Sequence, residues 1–180
     1  VGARYPFAGI HRDRIWNGQI HYRIAALAPP VEIVYKEAQV MTTFAGGNGQ
    51  AGNMFTVQAH QQPITVFSMD IHTYSEDPNL EVMIYTKSGS FWGSETSTDG
   101  WTKICDTTVQ GLGSPNPTPI PTSAIQEVTI ETGDRQSFYV TLAKATIRYT
   151  NGHNYGHDIQ TMGDEYITFE DSVGVLYPFS

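Results

Sequence analysis

Hydrophobic and polar residues alternate along most of this chain, which is the pattern of β-strands that bury one face. The clearest example is 64–72, where Phe67, Met69 and Ile71 share one face and are predicted to point into the core. Similar short runs recur every eight to twelve residues or so, with turn-forming residues between them. No window has a helical period. We therefore predict about nine strands arranged as an all-β, two-sheet antiparallel β-sandwich or jelly roll.

The same alternation predicts the core positions and the main connections. An Asn17-Gly18 turn between β-forming residues predicts a hairpin. Segment 46–53 is expected to be a glycine-rich turn, and 111–121, rich in Gly and Pro, a long connection. The predicted core side chains are Phe55, Val57, Phe67, Met69, Ile71, Val82, Ile84, Phe138, Val140 and Ile167.

The two ends of the chain carry the same motif. Residues 1–7 read Val-Gly-Ala-Arg-Tyr-Pro-Phe, and residues 173–179 read Val-Gly-Val-Leu-Tyr-Pro-Phe. The offset between Val1 and Val173 is 172 positions. Five of the seven positions match, which indicates one period of a tandem array. A coincidental Tyr-Pro-Phe turn is the alternative. On the repeat interpretation, residues 1 to about 24 belong to the end of a preceding repeat.

Charge divides the chain in a similar way. Residues 1–36 hold five basic and two acidic residues, whereas residues 37–180 hold five basic and sixteen acidic ones. We therefore predict an extended N-terminal leader at 1–36 and a sandwich domain at 37–180. The leader is too short for its own core, so its apolar residues are expected to dock on a sandwich, either its own or that of a neighbouring copy. The predicted assembly residues are Arg4, Tyr5, Pro6, Phe7, Arg12, Arg14, Trp16, Tyr22, Tyr177, Pro178 and Phe179.

The overall charge excludes some partners. The formal net charge is −8, which argues against nucleic acid and anionic membranes. No apolar run reaches the ~18 residues of a membrane span, so no membrane insertion is expected. The single cysteine, Cys105, cannot form an intrachain disulfide and is predicted to be a small buried hydrophobe.

Metal and catalytic chemistry receive little support from the sequence. His153 and His157 have the spacing of zinc ligands on a helix, but they lie in a loop composition. Asp70 and His72 share a strand face and are the other weak candidates, for a structural calcium. No nucleophile motif occurs, and the glycine cluster lacks the Lys-Ser/Thr ending of a phosphate loop. We expect no catalytic residues, no cofactor and no bound metal.

Exposed aromatic side chains could instead stack on sugars. Trp92 lies on an apparent loop, and Tyr74 and Tyr155 lie at predicted strand ends or turns. Packing in a small satellite core is the alternative explanation for these rings.

Several longer strings resemble a secreted β-sandwich repeat that occurs in large extracellular proteins of bacteria and of microalgae such as diatoms. The resemblance covers about residues 40–179 and includes the Gly52-Asn53-Met54-Phe55 motif. In the algal members, a basic Trp-Asn-Gly stretch similar to 13–22 follows the Tyr-Pro-Phe. The resemblance implies the fold and an extracellular or cell-surface location, but it supplies no activity and no catalytic residues. The strings that carry it are 43–55, 69–73, 87–93, 138–141, 148–152 and the terminal Tyr-Pro-Phe.

Three functions follow as hypotheses. The first is a non-enzymatic extracellular structural protein, one repeat of a tandem array or head-to-tail filament, whose partners are other copies of the same domain. The second is a carbohydrate-binding, lectin-like module with a glycan as its partner. The third and weakest is a metal-dependent hydrolase.

Overall fold

The computed structural model of this protein describes residues 14–26, 34–44, 46–152 and 162–175. These residues form thirteen β-strands and one short 3₁₀ helix, Thr122–Ala124, and no α-helix occurs among them. No helix in these ranges is long and apolar enough to cross a membrane. The strands are β1 (Arg14–Trp16), β2 (Gly18–Ala26), β3 (Val34–Met41), β4 (Asn48–Gln50), β5 (Gly52–Ala59), β6 (Ile64–His72), β7 (Leu80–Ser88), β8 (Thr102–Val109), β9 (Pro117–Pro119), β10 (Val128–Ile130), β11 (Arg135–Leu142), β12 (Ile147–Asn151) and β13 (Ile167–Val175).

The strands pair into three antiparallel sheets. One has the order β10-β6-β2-β3, with β9 also on β6, and is called the β6 sheet. The second has the order β13-β5-β11-β7-β8 and is called the β5 sheet, and a short third sheet has the order β1-β12-β4. The β6 and β5 sheets enclose one main hydrophobic core. The predicted all-β antiparallel sandwich is confirmed.

The core contains the side chains that alternation predicted. All ten predicted core residues are buried, and nine of them belong to the main core cluster. Phe67 is the exception: its ring lies 4.2 Å from the Arg23 guanidinium carbon, on the outer face of the β6 sheet. A β-bulge explains the difference, because the β2–β6 register jumps from His21–Ser68 to Tyr22–Val66. The extra residue reverses the alternation along β6.

A second apolar cluster covers the outer face of the β5 sheet. It contains the buried side chains of Met54, Phe91 and Tyr139, and Trp101 packs against it. The connection between β7 and β8 folds over this face, and the Trp101 indole donates a hydrogen bond to the Ser94 carbonyl at 3.0 Å. Because this sheet is buried on both sides, its strands carry apolar residues on both faces.

Three connections differ from the sequence predictions. Asn17-Gly18 is not a hairpin turn, because β1 pairs with β12 whereas β2 pairs with β3 and β6. Gly18 is required for another reason: a Cβ there would lie 2.1 Å from the Trp16 ring. The segment 46–53 contains β4 and the start of β5, and the long connection at 111–121 contains β9.

The structure also differs from the predicted N-terminal leader over the residues that it describes. Strands β1 and β2 lie within residues 1–36, and the boundary after residue 36 would cut β3. Strand β2 is an interior strand of the β6 sheet, with Ile20 and Tyr22 fully buried. Residues 14–24 therefore belong to this sandwich rather than to a preceding repeat. The physical reason is that the large core face of β6 needs β2 beside it to complete the sheet.

Candidate functional site

Arg14, the first described residue, and Gly174, the last but one, both lie beside the ring of Tyr149. The Arg14 guanidinium carbon lies 5.4 Å from the centre of that ring. On β13, a Cβ added to Gly174 would lie 2.9 Å from Cε1 of Tyr149. The described part of the sandwich therefore begins and ends at one corner, which is called the seam corner below.

The last strand is held at this corner by a buried amide. The end of β13 pairs antiparallel with the start of β5: Val173 lies opposite Met54, Gly174 opposite Asn53 and Val175 opposite Gly52. The Asn53 side chain is fully buried, and its Nδ2 donates a hydrogen bond to the Val173 carbonyl at 3.1 Å. The Gly-Asn-Met-Phe motif thus supplies the strand on which the terminal Val-Gly pair lies.

An aromatic stack fixes the first strand beside the last one. The Trp16 indole is buried and lies 4.2 Å from the Phe55 ring in a stacked geometry. The Phe169 ring of β13 lies 5.8 Å from Trp16. Tyr22 reaches across the core and donates a hydrogen bond to the Asp164 carboxylate, and burial raises the pKa of this phenol.

The predicted assembly residues fall into two groups. Arg14, Trp16 and Tyr22 pack within this sandwich, as described above. The others lie outside the described residues: Arg4, Tyr5, Pro6, Phe7, Arg12, Tyr177, Pro178 and Phe179.

A chain of polar side chains crosses the rim of the β6 sheet. Thr150 Oγ1 donates to Asn17 Oδ1 at 3.0 Å, and Asn17 Nδ2 lies 3.2 Å from His72 Nδ1. His72 Nε2 lies 3.0 Å from the hydroxyl of Ser114, an exposed residue. His72 itself is fully buried and lies beside the Phe44 ring. The spacing is that of a nucleophile, a base and an orienting residue.

The proton arrangement argues against catalysis by this set. Because Asn17 Oδ1 accepts from Thr150, its Nδ2 faces His72 and donates to Nδ1. The Nε2 atom then carries the ring proton and donates to Ser114, so it cannot take the proton of that hydroxyl. An asparagine that faces the histidine with its NH2 group, as here, leaves the outer ring nitrogen protonated, unlike an asparagine that accepts from the ring through its oxygen. We interpret the network as a structural tether of the 111–116 segment.

Burial also disfavours the charged form of His72. It lowers the pKa of His72 below its ordinary value, and the positive charge of Arg148 lowers that pKa further. The predicted buried state of Cys105 is confirmed, and burial raises the pKa of its thiol to about 11. A thiol with that pKa is protonated at neutral pH and is a poor nucleophile.

The candidate metal ligands do not come together. Asp70 faces His21, with 3.3 Å between a carboxylate oxygen and Nε2, while His72 is engaged by Asn17 and Ser114. Within the ranges that the structure describes, no group of three or more His, Cys, Asp or Glu side chains could hold a metal ion. His153 and His157 lie outside these ranges.

The candidate sugar-stacking residues do not form one platform. Tyr74 lies before β7 and Trp92 lies after it, so the two rings belong to different connections. The Arg148 guanidinium carbon lies 4.4 Å from the Tyr74 ring and covers one of its faces. Trp92 is 37% exposed beside the fully buried Phe91. Tyr155 is outside the described residues.

Several residues of interest escaped the sequence predictions. Tyr149 and Gly174 matter because of a close approach between two strands that are adjacent only in the fold. Asn17 was interpreted as part of a turn, although it links β1 to the His72 network. The exposed Tyr35 and Met41 at the two ends of β3 were not singled out. Their neighbours Lys36 and Glu37 are exposed as well, so hydrophobic alternation does not mark this strand as an edge.

A scan against protein-family models finds no match for this chain, and neither do searches of curated proteins and of solved structures.

Proposed function

We propose that this protein is a non-enzymatic, extracellular structural protein and that its sandwich is the repeating unit of a tandem array. The observation that carries the proposal is the recurrence of Val-Gly at 1–2 and 173–174, together with the position of Gly174 against the Tyr149 ring. A side chain at residue 174 would collide with that ring. Gly174 therefore has a steric role in the last strand, which supports the interpretation of the repeated Val-Gly pair as part of a structural repeat.

The dimensions of the sandwich support the same proposal. The described body extends from residue 14 to residue 175, which fits inside one 172-residue period. By the repeat, residues 1–7 correspond to the end of β13 and to the segment after it. They would then form the end of the last strand of a preceding sandwich and the segment after it, and the next sandwich would begin at β1.

The seam corner determines how copies would follow each other. Since the described part of the sandwich begins and ends beside Tyr149, neighbouring copies would be joined corner to corner by a short connection. Such an array differs from a string of sandwiches joined at opposite ends. Its partners are other copies, arranged head-to-tail along one chain or along a filament.

The coding sequence on both sides of this chain is the direct test. We expect further copies with the Val-Gly-x-x-Tyr-Pro-Phe motif every 172 residues or so. A coding region without any further copy would overturn the proposal. As a second test, two copies can be joined in repeat register, so that Val173 of the first becomes Val1 of the second. The urea midpoint should not fall below that of the single chain, whereas a lower midpoint would show that the seam does not fit.

A carbohydrate-binding role is the second candidate, and one observation favours it. Trp92 offers an exposed indole on a connection anchored by the buried Phe91 and by the Trp101–Ser94 hydrogen bond. A rigid exposed ring loses little entropy when it stacks on a sugar. Glycan-array binding that is lost in Trp92→Ala and retained in Tyr74→Ala would support this role. No glycan binding by the full chain would exclude it.

A further inference from the structure

Strand β3 forms one edge of the β6 sheet and is the most exposed strand of that sheet. Among the described strands it pairs only with β2. Tyr35 is 54% exposed and Met41 is 58% exposed, and both belong to the small set of exposed large hydrophobic residues. An exposed edge of eight residues is a template for pairing with another strand.

One hydrogen bond shows which residues of β3 bond to β2 and which direct their backbone groups outward. The Thr42 amide donates to the Gly18 carbonyl at 3.0 Å, which continues the β2–β3 register. Hydrogen-bonded and non-hydrogen-bonded pairs alternate along an antiparallel ladder. The even-numbered residues of β3 therefore bond to β2. The odd-numbered residues direct their N–H and C=O groups away from the sheet: Tyr35, Glu37, Gln39 and Met41.

We propose that a second copy of this chain pairs with β3 through the same strand, antiparallel and with its twofold axis at Ala38. In that register Tyr35 lies opposite Met41 of the second copy, and Glu37 lies opposite its Gln39. All four outward-directed residues of each strand then form hydrogen-bonded pairs. Ala38 faces its own counterpart at a non-hydrogen-bonded position, where the backbones approach most closely.

The side chains are self-complementary in this register. The two exposed apolar residues lie three positions on either side of Ala38, so each ring meets a thioether, which is a favourable contact. Glu37 already accepts a hydrogen bond from Arg23 at 3.2 Å, and a glutamine amide from the second copy can donate to the same carboxylate.

Neighbouring registers fit less well. A shift of two positions in one direction sets Glu37 opposite the Glu37 of the other copy, and like charges directly opposite each other destabilise a sheet. A shift in the other direction sets Glu37 opposite Met41. Both shifts leave outward-directed backbone groups unpaired. The Ala38 register is the one that uses the whole strand.

This interface is distinct from the seam corner. It is isologous and closes as a dimer, whereas the repeat acts along the chain. In an array, it would join two chains side by side. Failure of the edge pairing would leave the tandem-array proposal untouched, because that proposal depends on the repeat and on Gly174.

A cysteine scan of the full chain tests the proposal. Ala38→Cys places two thiols at a closely spaced pair across the axis, which suits a disulfide. Lys36→Cys is the matched control, because residue 36 would face Val40 of the other copy. Native Cys105 is buried and should not react. Under mild oxidation we expect covalent dimer from Ala38→Cys at least about tenfold faster than from Lys36→Cys. Equal rates would overturn the proposal.

A proline variant separates self-association from folding. The Gln39 amide points away from β2, so Gln39→Pro removes no hydrogen bond of the monomer. We expect the full chain to sediment as a concentration-dependent dimer and Gln39→Pro as a monomer at all concentrations. At a concentration at which the full chain is also monomeric, the two should have the same urea midpoint. A monomeric full chain at all concentrations would overturn the proposal. So would a large loss of stability in Gln39→Pro, because the edge would then be covered by another segment of the same chain.

Discussion

Strands β13 and β3 are both edge strands of the same sandwich, but among the described residues only β13 is covered by another segment. Segment 162–164 folds back on β13, with the Phe169 amide donating to the Met162 carbonyl at 2.9 Å. A bulge between Phe169 and Ser172 distorts the strand, and its apolar side chains are buried. Strand β3 has no such cover among the described strands.

The two strands have similar compositions, so composition does not distinguish them. Each contains two or three aliphatic residues, one aromatic residue and charged residues. The difference lies in what surrounds them: β13 lies beside β1 and the Trp16 stack, whereas β3 ends the sheet. In β13, a bulge, a glycine and a folded-back segment hinder pairing of this edge with a strand of another molecule. The comparison teaches that such features, rather than composition, distinguish a covered edge from an open one.

Removing the stack next to β13 should have the largest effect on stability. Trp16→Ala deletes a buried indole that packs on Phe55 and lies near Phe169. We expect a loss of about 3–5 kcal/mol in the free energy of unfolding. Urea denaturation measures it, and Trp92→Ala is the matched control, with an expected change within about 0.5 kcal/mol. A loss below about 1 kcal/mol for Trp16→Ala would contradict its role in closing this edge.

A methyl group at the seam corner should have the next largest effect. Gly174→Ala brings a Cβ to 2.9 Å from the Tyr149 ring, so the ring must move. Overpacking of this kind costs about 1–3 kcal/mol. Gly47→Ala is the control, because a Cβ at Gly47 meets nothing within 4 Å. Equal urea midpoints for the two variants would show that the seam corner is loosely packed and would remove the reason given for the repeated Val-Gly pair.

The buried histidine should make stability depend on pH. The pKa of His72 is lowered in the folded chain, so the unfolded chain binds the proton more readily. Stability is therefore full above the unfolded pKa of about 6.5 and is lost as the pH falls below it. We expect the free energy of unfolding to fall between pH 7.5 and pH 5. Thermal melts of the full chain and of His72→Gln measure it, and the slope in this range should become smaller in the variant. An identical slope in the two proteins would assign the pH dependence to other groups.

Much of the fold could be predicted from the sequence because burial imposes a period of two on each strand. Phe55, Val57, Phe138 and Val140 alternate as expected and lie in the core. The prediction was wrong where a local exception breaks the period, as at the bulge beside Phe67, or where a turn signal is overridden by packing, as at Asn17-Gly18. Such exceptions depend on partners distant in sequence.

The candidate sites were harder to predict for the same reason. The contact between Gly174 and Tyr149 and the network of Thr150, Asn17, His72 and Ser114 each join residues that are separated by 25 or more positions. No local spacing records those contacts. The repeat at the two termini was visible, but the reason for its glycine was not, because that reason is a ring on another strand.

The exposed end of β3 should show the smallest effect on stability. Tyr35→Ser removes a ring that is 54% exposed, so the monomer loses little packing and its free energy of unfolding should change by less than about 0.5 kcal/mol. Val173→Ala, at the fully buried position on the β13 edge, is the matched change and should cost more, because it leaves a small cavity. If the two edges differ as described, Tyr35→Ser should weaken self-association in sedimentation but keep the urea midpoint that the full chain has at concentrations where it is monomeric. Val173→Ala should lower that midpoint and leave self-association unchanged. A Tyr35 variant that loses stability as much as the Val173 variant would mean that the β3 edge is already covered and that the contrast between the two edges does not hold.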